Sequence, residues 1–161
     1  MSELIRRARP GDEAEIVAMI RELAEFEHAA QECVVTETAL RTALFDDQPT
    51  AHAHIVEIDG RAAATAVWFL NFSTWDGVCG IYLEDLYVRP DFRRRGLARK
   101  LLSTLAAECE ANGYTRLSWA VLNWNVNAIA LYDAVGGKPQ SEWTTYRVSV
   151  PELAALAARR S

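Results

Sequence analysis

The stretch from Ile81 to Leu102, IYLEDLYVRPDFRRRGLARKLL, constrains this chain more than any other. An apolar, strand-like run ends at Arg89-Pro90, a basic turn follows, and a helical pattern begins at Gly96. Within the turn, Arg93, Gly96 and Ala98 have the spacing R-x-x-G-x-A. Strand, turn and helix start in that order place unpaired N–H donors and the positive end of a helix dipole beside a glycine. Such a turn can cradle a phosphate-like anion. Five of the seventeen basic residues (Arg93, Arg94, Arg95, Arg99, Lys100) fall in these eight positions, in a chain of net charge −5. Two readings stay open on spacing alone, an anion site and a solvated basic turn, since charge runs commonly lie at the surface.

The 161 residues suit one domain, 1–161, with a sizeable core. The acidic balance argues against a general nucleic-acid binder, which needs a broad basic surface. Cys33, Cys79 and Cys109 are odd in number, far apart and in no CxxC pair, so neither disulfides nor a structural zinc site is expected. Met1 to Pro10 is charged rather than apolar, and no run reaches membrane-spanning length. The expected setting is reduced and cytosolic, with no membrane partner.

Periodicity predicts a first strand at Ile5–Ala8 and a helix carrying Ile16, Met19, Ile20 and Leu23 inward, with Asp12 and Glu15 at capping-box spacing. A second helix starts after Thr36 and buries Leu40, Ala43 and Leu44. Ala53–Ile58, Asp59-Gly60 and Arg61–Leu70 read as a hairpin, and Trp75-Asp76-Gly77 turns into a strand from Val78 to Val88. Leu97, Leu101, Leu105 and Cys109 form a helix stripe that Asn112-Gly113 ends. A strand at Leu117–Leu122, a helix at Asn125–Val135, a last strand at Trp143–Val150 and a short tail helix complete the pattern. This is a mixed α/β (α+β) fold, with helices against a largely antiparallel sheet.

The segment LYVRPDFRRRGLARKLL resembles the acyl-CoA-binding signature of the GNAT superfamily of N-acetyltransferases, [R/Q]-x-x-G-x-[G/A]. Asn125, Ala128 and Tyr132, in NVNAIALYDAVGG, resemble that superfamily's N-x-x-[A/S]-x-x-x-Y helix, and the order of elements agrees over nearly the whole chain. A narrower resemblance, to the diamine (spermidine/spermine) and thialysine acetyltransferase branch, rests on ELAEFEHAAQ, YLEDLYV, LNWN and the aromatic stretch around Trp143.

The resemblance implies splayed central strands that hold acetyl-CoA as co-substrate. The backbone of Leu86, Tyr87 and Val88 would pair with the pantetheine arm. Arg93, Arg94, Arg95, Gly96, Leu97, Ala98 and Arg99 would wrap the pyrophosphate, mainly through backbone N–H groups, and Asn125 and Ala128 would border the pantetheine end. Arg94 and Arg95 stand where the branch commonly has small or apolar residues. Backbone donors tolerate that difference, and Arg95 is placed for an added phosphate contact.

Amine acetylation needs two further groups. A primary ammonium of pKa about 10.4 loses its proton at a cost of about 4 kcal/mol near pH 7.4. A carboxylate can take that proton, through water. Glu84 matches the glutamate of YLED in the branch, and its alternative role is a cross-sheet ion pair. Strand alternation puts Glu84 and Asp85 on opposite faces unless the strand bulges. Tyr132 is the candidate acid for the departing thiolate, because a tyrosine keeps its proton up to about pH 10. Its alternative role is core packing.

Phe26 and Glu27 correspond to the branch's aromatic–Glu pair for a distal ammonium, although Glu25, Glu27 and Glu32 also read as a solvated acidic face. Trp119 and Trp143 are candidate walls of the amine channel, or packing residues, with Asp85 a further substrate contact. His52 and His54 lack a third ligand nearby and read as structural, so no metal is expected. The expected acceptor is a small cationic amine, either a diamine or polyamine or a lysine-like amino acid. A protein N-terminus, an aminoglycoside, or a CoA-sensing module without turnover are the alternatives. A homodimer is implied by the branch, whose C-terminal strands pack or exchange between subunits.

Overall fold

The computed structural model describes residues 1–160. Its strands are β1 (Glu3–Arg7), β2 (His52–Ile58), β3 (Arg61–Ser73), β4 (Val78–Val88) and β5 (Leu117–Trp119). Its helices are α1 (Glu13–Phe26), α2 (Glu37–Phe45), α3 (Leu97–Asn112), α4 (Val126–Ala134) and α5 (Glu152–Ala157). The strands form one sheet in the order β1-β2-β3-β4-β5, antiparallel except for the parallel β4–β5 pair. Asp59 and Gly60 turn β2 into β3 with both residues at positive φ, the backbone that a tight two-residue hairpin turn requires.

Each sheet face has its own core. On one face α3 buries Leu97, Leu101, Leu105 and Cys109 against Val56, Ala66, Trp68, Ile81 and Leu83. On the other, Ile16, Val17 and Met19 of α1 and Leu40 and Leu44 of α2 cover Ile55, Val67 and Tyr87. Thr36 caps α2, its Oγ1 accepting the Ala39 N–H at 3.1 Å, a contact worth about 1 kcal/mol. Asp12 makes no equivalent side-chain cap on α1. Its carboxylate is taken by the Arg6 guanidinium at 2.6 Å and the Arg9 N–H at 2.8 Å, which fasten the start of α1 to β1.

Two expected strands differ from the structure. Leu117–Leu122 is a strand only as far as Trp119, because β4 and β5 separate beyond that point. Trp143–Val150 forms no strand at all. Its β-prone residues find no ladder partner in this chain, and residues 138–150 are exposed throughout. The first strand also runs one or two residues earlier than expected, Glu3–Arg7 rather than Ile5–Ala8.

Candidate active site

The sheet opens at one place. β4 and β5 pair only at Ile81↔Leu117, Tyr82↔Ser118 and Leu83↔Trp119, whereas β4 stays paired with β3 as far as Val88↔Ala64. From Glu84 to Val88, the β4 edge away from β3 therefore has no strand beside it. Leu86, Tyr87 and Val88 lie along this edge, where an extended amide-bearing chain can add as a further strand.

The basic turn follows directly. Among the described residues, the N–H groups of residues 94–99 donate to no backbone acceptor, as the first turn of a helix dictates. Gly96, the N-cap of α3, holds φ 72°, and Arg94 holds φ 62°, a left-handed conformation that glycine adopts more readily. The run of free donors fits a pyrophosphate. Leu97 is buried and can contribute only its N–H, while the side chains of Arg93, Arg94, Arg95 and Arg99 are exposed. Arg93 Nε donates to the Val88 carbonyl at 3.1 Å, and its guanidinium lies over the rings of Phe26 and Tyr87, at 5.7 and 5.9 Å.

Arg89 ties this turn to α1. Its guanidinium donates to Glu22 at 3.1 Å, to Glu15 at 2.7 Å and to the Ala62 carbonyl at 3.0 Å. Glu15 and Glu22 are seven residues apart on one face of α1, so a single arginine fixes the helix whose end carries Phe26 and Glu27.

The opposite wall comes from the β5–α4 connection. Asn125 is the N-cap of α4, its Oδ1 accepting the Ala128 N–H at 3.3 Å. The Asn and Ala of the helix motif thus set the start of the helix that carries Tyr132. The Tyr132 ring meets Trp119 of β5 edge-on at 5.1 Å. Gly137 closes against both: a Cβ there would lie 2.9 Å from the Tyr132 carbonyl and 3.2 Å from the Trp119 ring. Burial first, and then the charge of Glu27, push the Tyr132 hydroxyl above its ordinary pKa, which keeps its proton in place.

The acidic face is corrected by a bulge. Val67 faces Asp85 and Trp68 faces Leu83, which leaves Glu84 as the extra residue in β4. Before it, Ile81 and Leu83 pack toward α3; after it, Leu86 and Val88 do. The alternation therefore slips by one, and Glu84 and Asp85 fall on the same face, the one with Tyr87 and α1. Their surroundings differ, since Glu84 is exposed and Asp85 half-buried. Burial first, then Glu84 and then Glu27, push the Asp85 carboxyl up to about 6. Burial also raises Glu27.

One wall residue escaped the sequence reading. Trp124, just before the Asn125 cap, packs against Phe26 at 5.8 Å and against His28 at 5.6 Å. It joins the end of α1 to the start of α4 while leaving 49 % of its own surface open. A tryptophan directly before the asparagine of the helix motif was the available signal, within LNWN. Trp143 stands 68 % exposed on the segment outside the sheet, and this chain brings it to no ring partner among the described residues. His54 is structural, its Nδ1 accepting the Trp68 Nε1–H at 3.1 Å within the core. The three cysteines are free thiols.

The family model described as "Acetyltransferase (GNAT) family" matches residues 17–136. A thialysine N-epsilon-acetyltransferase of Caenorhabditis elegans is 42 % identical over 142 residues, covering 86 % of this chain and 87 % of that protein. An L-ornithine N5-acetyltransferase of Arabidopsis thaliana is 27 % identical over 201 residues, with coverage of 97 % and 88 %. The solved structure of an integron cassette protein from V. cholerae superposes with a TM-score of 0.81 at 22 % identity, covering 98 % of each chain, a likeness of fold.

Proposed function

Since the chain belongs to the acetyltransferase (GNAT) family, whose members use acetyl-CoA as co-substrate, we propose that it acetylates the primary amine of a small cationic acceptor, a diamine or polyamine or a lysine-like amino acid. The observation that carries this reading is the gathering of Glu27, Glu84 and Asp85 about one face of β4. Three carboxylates with Phe26 and Trp124 beside them favour an ammonium over a neutral or anionic acceptor. Relatives named for thialysine and for ornithine acetylation agree with an amino acid bearing a side-chain amine.

Acetyl-CoA, when bound, supplies an acetyl thioester. Residues 94–99 offer the N–H donors for its pyrophosphate, and the open edge at Leu86, Tyr87 and Val88 offers a ladder for its pantetheine arm. Glu27 and Phe26 hold the distal charge of the acceptor. Glu84 and Asp85 supply carboxylate for the ammonium proton. Tyr132, held by Trp119, supplies a proton to the departing sulfur.

Free-thiol release is measured against putrescine, spermidine, spermine, lysine, thialysine, an aminoglycoside and a short peptide. Saturable turnover is expected with a small cationic amine. Turnover with only the aminoglycoside or the peptide would discard the acceptor class and keep the enzyme. Tight acetyl-CoA binding without any thiol release would favour a sensor.

The same reading includes a homodimer. Residues 138–150 expose Trp143, Tyr146, Val148 and Val150, while the outer edge of β5 has no neighbour in the sheet. An exposed strand-prone segment and an unpaired edge are complementary between copies. Sedimentation at micromolar concentration should give twice the 18.0 kDa chain mass. A sharp monomer across the accessible range would sink the dimer.

A further inference from the structure

One extra residue in β4 gives the site two carboxylates where an unbroken strand would give one. Glu84 is that residue, and it sits at the point where β4 and β5 part. The two carboxylates lie in sequence on one face, the one that carries Tyr87, but one is exposed to water and the other is half-buried. Asp85 has no cationic partner among the described residues: it appears in no ion pair, and the charges acting on it are Glu84 on its own strand and Glu27 from α1. From α4, Tyr132 faces the same Glu27. Glu27 thus lies within electrostatic reach of both Asp85 and Tyr132.

We propose that Asp85 takes the proton of the acceptor ammonium and that Glu84 passes it to solvent, the two acting in series across the bulge. This rests on the acetyltransferase reading above and settles which carboxylate does what within it. An inner acceptor must release its proton at working pH, and a carboxyl pushed up to about 6 by burial and two like charges is matched to that task. An outer carboxylate open to water has the complementary role.

The proton and electron count closes. The ammonium gives one proton to Asp85, and the freed nitrogen lone pair forms the C–N bond as the C–S bond breaks. The sulfur electron pair takes the hydroxyl proton of Tyr132. The second nitrogen proton restores that hydroxyl through water. The proton on Asp85 leaves by way of Glu84, so one proton is released per turnover.

Two measurements on the full chain test the relay. The first is a carboxyl-13C titration of aspartate-labelled protein without acceptor, with the Asp85 resonance identified by its loss in Asp85→Asn. It should titrate near 6 and move down in Glu27→Gln, which removes one of the two like charges. The second is the pH dependence of kcat/KM for an accepted amine. The acid limb should follow the same pKa, and Asp85→Asn should lose that limb with at least about a 100-fold fall. Glu84→Gln, which also removes a like charge, should keep the limb but displace it to lower pH, with a fall of under about tenfold. An Asp85 resonance at the ordinary aspartate position, with turnover intact, overturns the relay alone. So does an acid limb that survives Asp85→Asn and disappears in Glu84→Gln. Absence of turnover with every amine overturns the functional reading, and the relay with it.

Discussion

Tyr132→Phe is expected to lower kcat by about 100- to 10,000-fold, the range for loss of a positioned proton donor. The phenylalanine ring still meets Trp119 edge-on, so the fold of α4 and the closure at Gly137 should survive. Acetyl-CoA affinity should change little, because the N–H donors at 94–99 and the open β4 edge are untouched. The loss should therefore fall on kcat and not on the KM for acetyl-CoA. Steady-state kinetics with an accepted amine decide it. A variant with wild-type kcat would reduce Tyr132 to a packing residue.

Asp85→Asn is expected to stabilise the chain at neutral pH while it disables it. The Asp85 carboxyl has a raised pKa in the folded state, so its folding contribution is fully present below the unfolded pKa of about 4 and is lost as pH rises through about 6. Above that window the ionised carboxylate sits half-buried beside two like charges, at a cost of about 2–3 kcal/mol. An amide of nearly the same shape escapes that cost. Urea unfolding should show the variant more stable than wild type by about that amount at pH 7.5, with the gap closing toward pH 4. A variant less stable at pH 7.5, or a gap independent of pH, would contradict the assigned environment. The expected pattern is a functional group kept against the interest of stability.

Much of the framework was legible because local signals decided it. Asp59-Gly60 demands a tight hairpin, Thr36 caps α2, and the four-residue spacing from Leu97 to Cys109 presents one buried stripe. These depend on neighbours within a few residues. The misreadings came from partners distant in sequence. Nothing in YLEDLYV shows that β3 skips Glu84, because a bulge is a property of the pair of strands, and so alternation put Glu84 and Asp85 on opposite faces. Asp12 has the right spacing for a cap, but Arg6 and the Arg9 N–H claim it first. Trp143–Val150 has strand composition and no strand, since composition does not say which edge a segment meets, and within this chain it pairs with neither outer edge of the sheet. Motif residues were legible by position, yet only the folded chain shows Asn125 bonded to Ala128, Trp119 against Tyr132 and Trp124 spanning to Phe26.

The Arg89 clamp decides which side of the mouth can give way. With Glu15, Glu22 and the Ala62 carbonyl all on one guanidinium, α1 and the basic turn form a single stationary jaw. The facing jaw is α4, which has no fully buried residue and leans on the sheet through the half-buried Leu131, Tyr132 and Val135. Elements with few buried contacts are the ones that open at least free-energy cost. On the proposed function, acceptors of different length are expected to be accommodated by the jaw bearing Tyr132. With Tyr132 in its proposed role as acid, widening the mouth would draw it back from the reacting centre, so a bulky amine is expected to bind and still turn over slowly.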